Sequence, residues 1–222
     1  MKIVVMIPAR GGSKRIPNKN IKLMNGKPLI VWSIEHAKKT TADEVWVSTE
    51  DKEIAKIAEE AGARIHWRPK ELAMDKSMPE ETLIHFSKTN DFDVILLLQC
   101  TVPLANEKDL QGLIDTYNKG GFDSVTLLDK DRLFINKLYG KYCFPINYNP
   151  FKIKISQDYK GDDWTYYESG IYLVSREWLL KSGRRMGGRN GYFIKHDFNI
   201  DIDNIEDFIA AERVMKWTKN GQ

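Results

Sequence analysis

The chain has 222 residues, of which 42% are hydrophobic and 29% charged, and these values are typical of a globular protein with a substantial core rather than a disordered chain. Its net charge of +3 argues against nucleic acid or a membrane surface as a partner. Two cysteines do not make a disulfide scaffold, and the apolar start breaks at Pro8, too early for a signal peptide, so we expect a cytoplasmic protein.

Strand and helix patterns alternate over the first 128 residues. Strands are predicted at Lys2–Ile7, Glu44–Ser48, Ala63–Trp67, Val94–Leu98 and Asp123–Leu128. Helices are predicted at Pro28–Lys39, Asp51–Ala61, Pro79–Lys88 and Glu107–Lys119. This order predicts βαβ units, and hence a Rossmann-like, doubly wound α/β fold with a mainly parallel sheet.

The pattern changes after residue 128. Residues 129–167 are rich in Tyr, Phe, Asn and Lys without a helical period, and they predict an antiparallel arm inserted into a single domain of residues 1–222. A strand at Gly170–Val174 and a short helix at Glu177–Lys181 follow. Further predictions are a strand at Tyr192–Ile202 and a last helix at Ile205–Trp217. The residues of this last helix expected to face inward are Ile205, Phe208, Ile209 and Val214.

The loop after the first strand, "PARGGSKRIPNKN", carries four cationic side chains, two adjacent glycines and no acid. In a doubly wound sheet, such a loop lies at the carboxyl ends of the strands, where ligands bind. Glycines admit an anion close to backbone N–H groups, and arginine can bind phosphate oxygens bidentately. The loop has neither the P-loop nor the dinucleotide spacing. Composition alone leaves open a polyphosphate site or a solvated basic turn.

Six motifs favour the polyphosphate site over the solvated basic turn. They are "ARGGSKRIPNKN", "NGKPLI", "VSTED", "RPKELAMD", "LLLQCTVPL" and "IDIDNIEDF", and they span residues 9 to 208. In this order they resemble the cytidylyltransferases that make CMP-activated nonulosonic acids, such as CMP-sialic acid synthetases. The resemblance implies a fold of the nucleotide-diphospho-sugar transferase type, and a reaction of CTP with a keto sugar acid that gives CMP-sugar and pyrophosphate with Mg²⁺. It also implies a homodimer formed through the arm.

The resemblance assigns roles to residues of the first loop and of "RPKELAMD". The nucleotide-binding positions it implies are Ala9, Arg10, Gly11, Ser13, Lys14, Lys19, Asn20 and Arg68. Arg10 and Lys19 are expected to be catalytic as well, because fixed cations stabilise the charge that develops on departing pyrophosphate. We expect Asn18 to be the turn residue. Asp75 either contacts ligand or caps the next helix, and we favour the cap.

Asp201 and Asp203 form the motif "DID". Alternation along a strand would put both carboxylates on one face, which suits a hard cation that bridges phosphates. The resemblance implies that both bind Mg²⁺ and take part in catalysis. The alternative is that Asp203 only caps the last helix.

The chain departs from the family pattern at the expected sugar-acid site. Its predicted residues are Gln99, Thr101, Glu168, Tyr172 and Phe193. The family commonly reads L-Q-P-T-S-P-L-R, whereas this chain reads "LQCTVPLA", and "ESGIY" replaces a motif like N-G-A-I-Y. We interpret Cys100 as a small buried thiol rather than a nucleophile.

Two other functions remain open from the sequence. One is a nucleotidyltransferase that uses another nucleotide or another keto-sugar acid. The other is a glycosyltransferase, whose D-x-D motif also binds a metal and a sugar nucleotide. The basic loop argues against the second, because a donor held by a metal does not need it.

Overall fold

The computed structural model describes residues 1–160 and 164–220. Residues 161–163 of the predicted arm therefore lie outside the described part of the chain. The strands are β1 (Ile3–Pro8), β2 (Leu23–Met24), β3 (Lys27–Pro28), β4 (Glu44–Thr49), β5 (Arg64–Trp67), β6 (Val94–Leu98), β7 (Ser124–Asp131), β8 (Asn136–Tyr139), β9 (Tyr142–Pro145), β10 (Thr165–Ser175) and β11 (Asn190–Ile194). The helices are α1 (Leu29–Lys38), α2 (Lys52–Glu60), α3 (Pro79–Ser87), α4 (Glu107–Asn118), α5 (Arg176–Ser182) and α6 (Ile205–Asn220).

Seven strands form the central sheet in the order β11-β7-β10-β6-β1-β4-β5. β10 is antiparallel to both of its neighbours, and the other neighbouring strands are parallel. β4 and β6 lie on opposite sides of β1, so the strand order reverses there and a cleft opens at the carboxyl ends of these strands. The mainly parallel α/β fold predicted from the sequence is confirmed.

Side chains of β1 alternate between the two faces of the sheet. Val5 and Ile7 pack in a core with α1, α2 and α4, whereas Val4 and Met6 pack with α3 and α5. A third cluster joins α6 to the basic loop through Ile16. This third cluster fixes the loop against the body of the protein.

Two predictions for the carboxyl-terminal part are wrong. The strand predicted at Tyr192–Ile202 ends at Ile194, and residues 195–204 form a loop. The period-two pattern arises because Ile202 is buried against α6 rather than in the sheet. Within α6 the buried residues include Phe208, Ala211 and Met215, whereas Ile205 and Ile209, expected to face inward, are exposed.

The arm contains an antiparallel hairpin of β8 and β9, between the extended ends of β7 and β10. Its aromatic side chains are largely exposed, Phe151 by 93%. Within residues 1–160 and 164–220, no helix is long and apolar enough to span a bilayer.

A buried histidine predicts how stability depends on pH. His66 on β5 lies within 2.9 Å of Ser48 Oγ and of the His85 ring. Burial, together with the charges of His85 and Arg68, lowers the pKa of His66 from 6.5 to about 4. The unfolded chain therefore takes up this proton first, and the free energy of unfolding falls by up to about 3 kcal/mol as pH drops from 6.5 to 4.

Urea unfolding between pH 4 and 7 checks this dependence. His66→Gln should flatten the profile in that range, whereas the exposed His196→Gln should leave its slope as in the wild type. An unchanged slope in His66→Gln would show that other groups cause the loss.

Candidate active site

A cleft of about 530 Å³ opens at the carboxyl ends of β1 and β6. It brings together predicted residues from four separate parts of the chain. Those that line it are Arg10, Ser13, Lys14, Lys19, Asn20, Arg68, Gln99, Thr101 and Asp203. The rest of the lining includes the segment 72–82, which begins within the motif "RPKELAMD" and continues into the first turn of α3.

Polar contacts fix the shape of the basic loop. Asn18 has φ of 52°, in the left-handed region, and is the turn residue as expected. Asn20 is buried: its Nδ2 donates to the Arg10 carbonyl at 2.9 Å, and its Oδ1 accepts from Cys100 Sγ at 3.0 Å. Complete burial raises the pKa of Cys100 to about 11, which agrees with a buried thiol rather than a nucleophile.

The cations of the loop contact acids from distant parts of the chain. Arg10 Nη1 lies 2.7 Å from Asp75 Oδ1, and Lys14 pairs with the same carboxylate. Arg15 Nη1 lies 2.6 Å from Asp203 Oδ1. These groups are partly or largely exposed, so the pairs contribute little to stability and can exchange for other anions.

The prediction that Asp75 caps the next helix is therefore wrong. Met78 precedes α3, and its N–H is bound at 2.9 Å by the Glu81 carboxylate within the helix. Arg10 and Lys14 hold the pKa of Asp75 below its ordinary value, through hydrogen bonds first and charge second. Asp75 thus occupies an anion position between two cations of the loop.

Hydrogen bonds to Ile202 hold the turn that carries the paired aspartates. The Ile202 N–H donates to the Thr101 carbonyl at 2.8 Å, and its carbonyl accepts from Lys19 Nζ at 2.5 Å. Asp201 and Asp203 flank Ile202 and are exposed, although in a loop rather than on a strand. The helix cap is Asn204, whose Oδ1 accepts the Asp207 N–H at 2.9 Å, so Asp203 remains available for another role.

The donor set at this turn fits magnesium. No group of three or more His, Cys, Asp or Glu side chains suited to a metal occurs among the residues that the structure describes. Mg²⁺ usually binds one or two carboxylates and completes its shell with water and substrate phosphates. Two exposed carboxylates beside a cationic cleft meet that requirement, whereas a structural zinc site needs four protein ligands.

Arg68 lies at the buried end of the cleft. Its side chain is 5% exposed, and its Nε donates to Glu50 Oε2 at 3.1 Å. Its Nη2 has no hydrogen-bond partner within the described residues. A buried donor without a partner is costly, and a ligand oxygen in the cleft would satisfy it. Burial lowers the pKa of Arg68, and the Glu50 carboxylate acts in the opposite direction.

The expected sugar-acid residues surround the end of β6. Gln99 lies near Gly170, whose φ of 78° marks an irregularity in the pairing of β10 with β7. Glu168 accepts the Tyr172 hydroxyl at 2.5 Å, and burial followed by this hydrogen bond raises the pKa of Tyr172 to about 12. Thr101 Oγ1 is buried without a partner among the described residues.

Six predicted residues are not among those that line the cleft, namely Ala9, Gly11, Glu168, Tyr172, Phe193 and Asp201. Phe193 packs against Gly112 of α4. This side chain therefore belongs to the core rather than to a ligand site. Ala9 is buried, and its N–H donates to the Ser48 carbonyl at 2.9 Å. The N–H of Gly11 is directed at Glu50 Oε1, 2.8 Å away, instead of into the cleft.

Comparison with known proteins agrees with this geometry. A family profile described as Cytidylyltransferase matches residues 4–208. N-acylneuraminate cytidylyltransferase A of Danio rerio is 36% identical over 97% of this chain and 51% of its own length. CMP-N,N'-diacetyllegionaminic acid synthase of Legionella pneumophila is 37% identical over 97% of both chains. The chain spans about half the length of the N-acylneuraminate cytidylyltransferases it matches.

Solved structures share the fold. A CMP:2-keto-3-deoxy-manno-octonic acid synthetase, solved in complex with CTP, aligns with a TM-score of 0.74 at 18% identity and covers 98% of this chain and all of its own. A 4-diphosphocytidyl-2C-methyl-D-erythritol synthase from Anaerococcus prevotii aligns with a TM-score of 0.69 at 15% identity, over 97% of this chain and 98% of its own. From its sequence and its fold, the chain belongs to the cytidylyltransferase family.

Proposed function

We propose that the protein activates a nonulosonic, sialic-acid-like sugar with CTP and releases pyrophosphate. In this reaction an oxygen of the sugar acid attacks the α-phosphorus of CTP. The bond from that phosphorus to the bridging oxygen breaks, and the sugar hydroxyl loses its proton. The observation that carries the proposal is the cleft whose lining brings together the basic loop, Arg68 and Asp203 of the aspartate turn.

The basic loop supports the binding of the triphosphate. Arg10 and Lys14 exchange the carboxylate of Asp75 for phosphate oxygens, which are also acceptors of charge-assisted hydrogen bonds. Lys19 lies beside the aspartate turn and can stabilise negative charge near the bond that breaks. Because Lys19 is already held at the turn by its hydrogen bond to Ile202, little reorganisation of this donor is required when charge develops.

Asp201 and Asp203 are proposed to hold Mg²⁺. When bound, Mg²⁺ neutralises phosphate charge and polarises the reacting phosphoryl group. The turn orients both carboxylates through the two hydrogen bonds of Ile202. Arg15 shares Asp203 in the absence of ligand and would release it for the metal. One of the two carboxylates also accepts the proton of the attacking hydroxyl.

The sugar acid is proposed to bind beside Gln99 and Thr101. Both line the cleft next to the aspartate turn. Glu168 and Tyr172 form a hydrogen-bonded pair on the neighbouring strand β10. A carboxylate at Glu168 suits hydroxyl or amide N–H donors of the sugar rather than its acid group. Because Ala105 stands where the family commonly has arginine, N-acetylneuraminate is one candidate among several, which include a legionaminic-type acid.

The arm is proposed to form a homodimer. It presents exposed apolar side chains on both hairpin strands and beyond, with Leu138 and Phe144 among them. Large exposed apolar patches mark interaction surfaces, and the proposed partner for this one is a second copy of the chain. We also propose a cytoplasmic location, because CTP is a cytoplasmic metabolite.

Pyrophosphate release tests the proposed reaction. CTP, GTP, UTP and ATP are each combined with Mg²⁺ and one of a panel of keto-sugar acids: N-acetylneuraminic, legionaminic, pseudaminic, deaminated neuraminic and 3-deoxy-octulosonic acid. Release that requires CTP and one nine-carbon acid is the expected result. Release with another nucleotide, or only with the eight-carbon acid, would overturn the proposed substrates. A sugar nucleotide consumed with transfer to an acceptor would instead indicate a glycosyltransferase.

A further inference from the structure

We infer that Glu50 is a positioning residue of the nucleotide site, which joins the basic loop to Arg68 and aims the free Nη2 of Arg68 into the cleft. The inference rests on the proposed function, because it concerns how the same site binds CTP. Glu50 was not a candidate from its sequence. It follows the carboxyl end of β4, the position at which a doubly wound sheet supplies ligand-site residues.

The two oxygens of Glu50 bind two different parts of the site. Oε1 accepts the Gly11 N–H at 2.8 Å, and Oε2 accepts Arg68 Nε at 3.1 Å. The Glu50 side chain is 17% exposed and that of Arg68 is 5% exposed, so water competes little with these bonds. One carboxylate therefore sets both the path of the loop and the rotation of the guanidinium.

The turn from β4 to α2 supports this arrangement. The Ala9 N–H donates to the Ser48 carbonyl at 2.9 Å, and the Arg68 N–H donates to the Thr49 carbonyl at 3.2 Å. A Cβ at Gly11 would lie 2.4 Å from Asp51 Oδ2, so a larger residue there would displace the side chain that caps α2. The segment after β1 and the segment after β5 are thus both hydrogen-bonded to the turn that carries Glu50.

The hydrogen bonds of Glu50 determine how Arg68 Nη2, a buried donor, can bind a ligand. Arg68 Nη2 has no partner within the described part of the chain, although the group is buried. With Nε bound to Glu50, the planar guanidinium has a fixed orientation, and its Nη2 is available for an acceptor oxygen of the nucleotide. Without Glu50, Arg68 would be a buried cation without a counter-charge and would turn toward solvent.

Glu50→Gln tests this role with little change in shape. The amide oxygen can still accept the Gly11 N–H, whereas the amide NH₂ cannot accept from Arg68 Nε. Calorimetry of CTP binding without sugar acid should show a dissociation constant raised about tenfold or more. In steady-state assays the KM for CTP should rise by a similar factor, while the KM for the sugar acid stays within about threefold of the wild type.

A double-mutant cycle separates positioning from general stability. In an Arg68→Ala background, Glu50→Gln should change the CTP dissociation constant by less than about threefold, because the group through which it acts is gone. The matched control is Asp123→Asn. Asp123 also binds a backbone N–H and an arginine Nε, both of Arg189, but at the start of β7 and away from the cleft. Its CTP affinity should equal that of the wild type.

Three outcomes would overturn the inference. They are wild-type CTP affinity in a folded Glu50→Gln, full additivity with Arg68→Ala, or an equal loss of CTP affinity in Asp123→Asn. A wild-type protein that binds no CTP would contradict the proposed function itself, and this binding is measured first. The two failures are therefore distinguishable.

Discussion

Asp201→Asn should lower Mg²⁺-dependent turnover by about a thousandfold or more. A metal ion contributes several kcal/mol of transition-state stabilisation, and each 1.4 kcal/mol corresponds to tenfold in rate. The side chain is exposed on a loop, so the substitution should leave folding intact. Pyrophosphate release measured against Mg²⁺ concentration gives both the rate and the apparent metal affinity.

Asp197→Asn is the matched control for this variant. Asp197 is an exposed carboxylate of the same loop, four residues earlier, and it lines a different pocket, together with Asp129 and Trp164. Its turnover and Mg²⁺ response should equal those of the wild type. An Asp201→Asn variant with an unchanged Mg²⁺ response would contradict the proposed metal site.

Lys19→Ala should reduce kcat by about a hundredfold to a thousandfold, as the loss of one fixed donor to developing charge does in other enzymes. Lys19 also binds the Ile202 carbonyl at 2.5 Å, so the aspartate turn becomes less well oriented. Loss of this single hydrogen bond should lower the free energy of unfolding by only about 1 kcal/mol. Single-turnover kinetics and urea unfolding measure the two effects separately.

Lys22→Ala provides the comparison for Lys19→Ala. Lys22 belongs to the same segment, but its Nζ lies over the Phe208 ring of α6 and not in the cleft. We expect its kcat to stay near the wild-type value. A wild-type kcat in Lys19→Ala, or an equal loss of kcat in Lys22→Ala, would contradict the proposal that charge in the cleft drives the reaction.

The sheet could be predicted because its signals are local. The run Val94–Leu98 is apolar throughout and is buried on both faces, as parallel strands between helices are. Asp51 and Gly62 mark the ends of α2 in the sequence and do so in the structure, by capping and by a φ of 87°. Local residue types therefore specified where these elements begin and end.

The loop at residues 195–204 could not be predicted in the same way. The alternation of Phe198, Ile200 and Ile202 resembles a strand, but Ile202 is buried by α6, which follows it. Lys195 further directs its buried Nζ to Asp109 on α4, 2.8 Å away. Period-two burial can arise from such tertiary contacts, and no local pattern distinguishes the two cases.

Partners far apart in the chain explain the errors at the site. Asp75 is a residue type that often caps helices, yet it binds Arg10, 65 residues earlier. Glu50 reaches Gly11 and Arg68 across separations of 39 and 18 residues. Residue types thus predicted which groups are present in the cleft, whereas their pairing depends on the order of strands in the sheet.

A crystal structure with CTP and Mg²⁺ is the most direct test that this cleft binds the nucleotide. The account predicts a triphosphate bound to Arg10 and Lys14, with Asp75 displaced from both. It also predicts a nucleotide oxygen within about 3.2 Å of Arg68 Nη2. A triphosphate bound elsewhere, with the pairs of Asp75 intact, would contradict it.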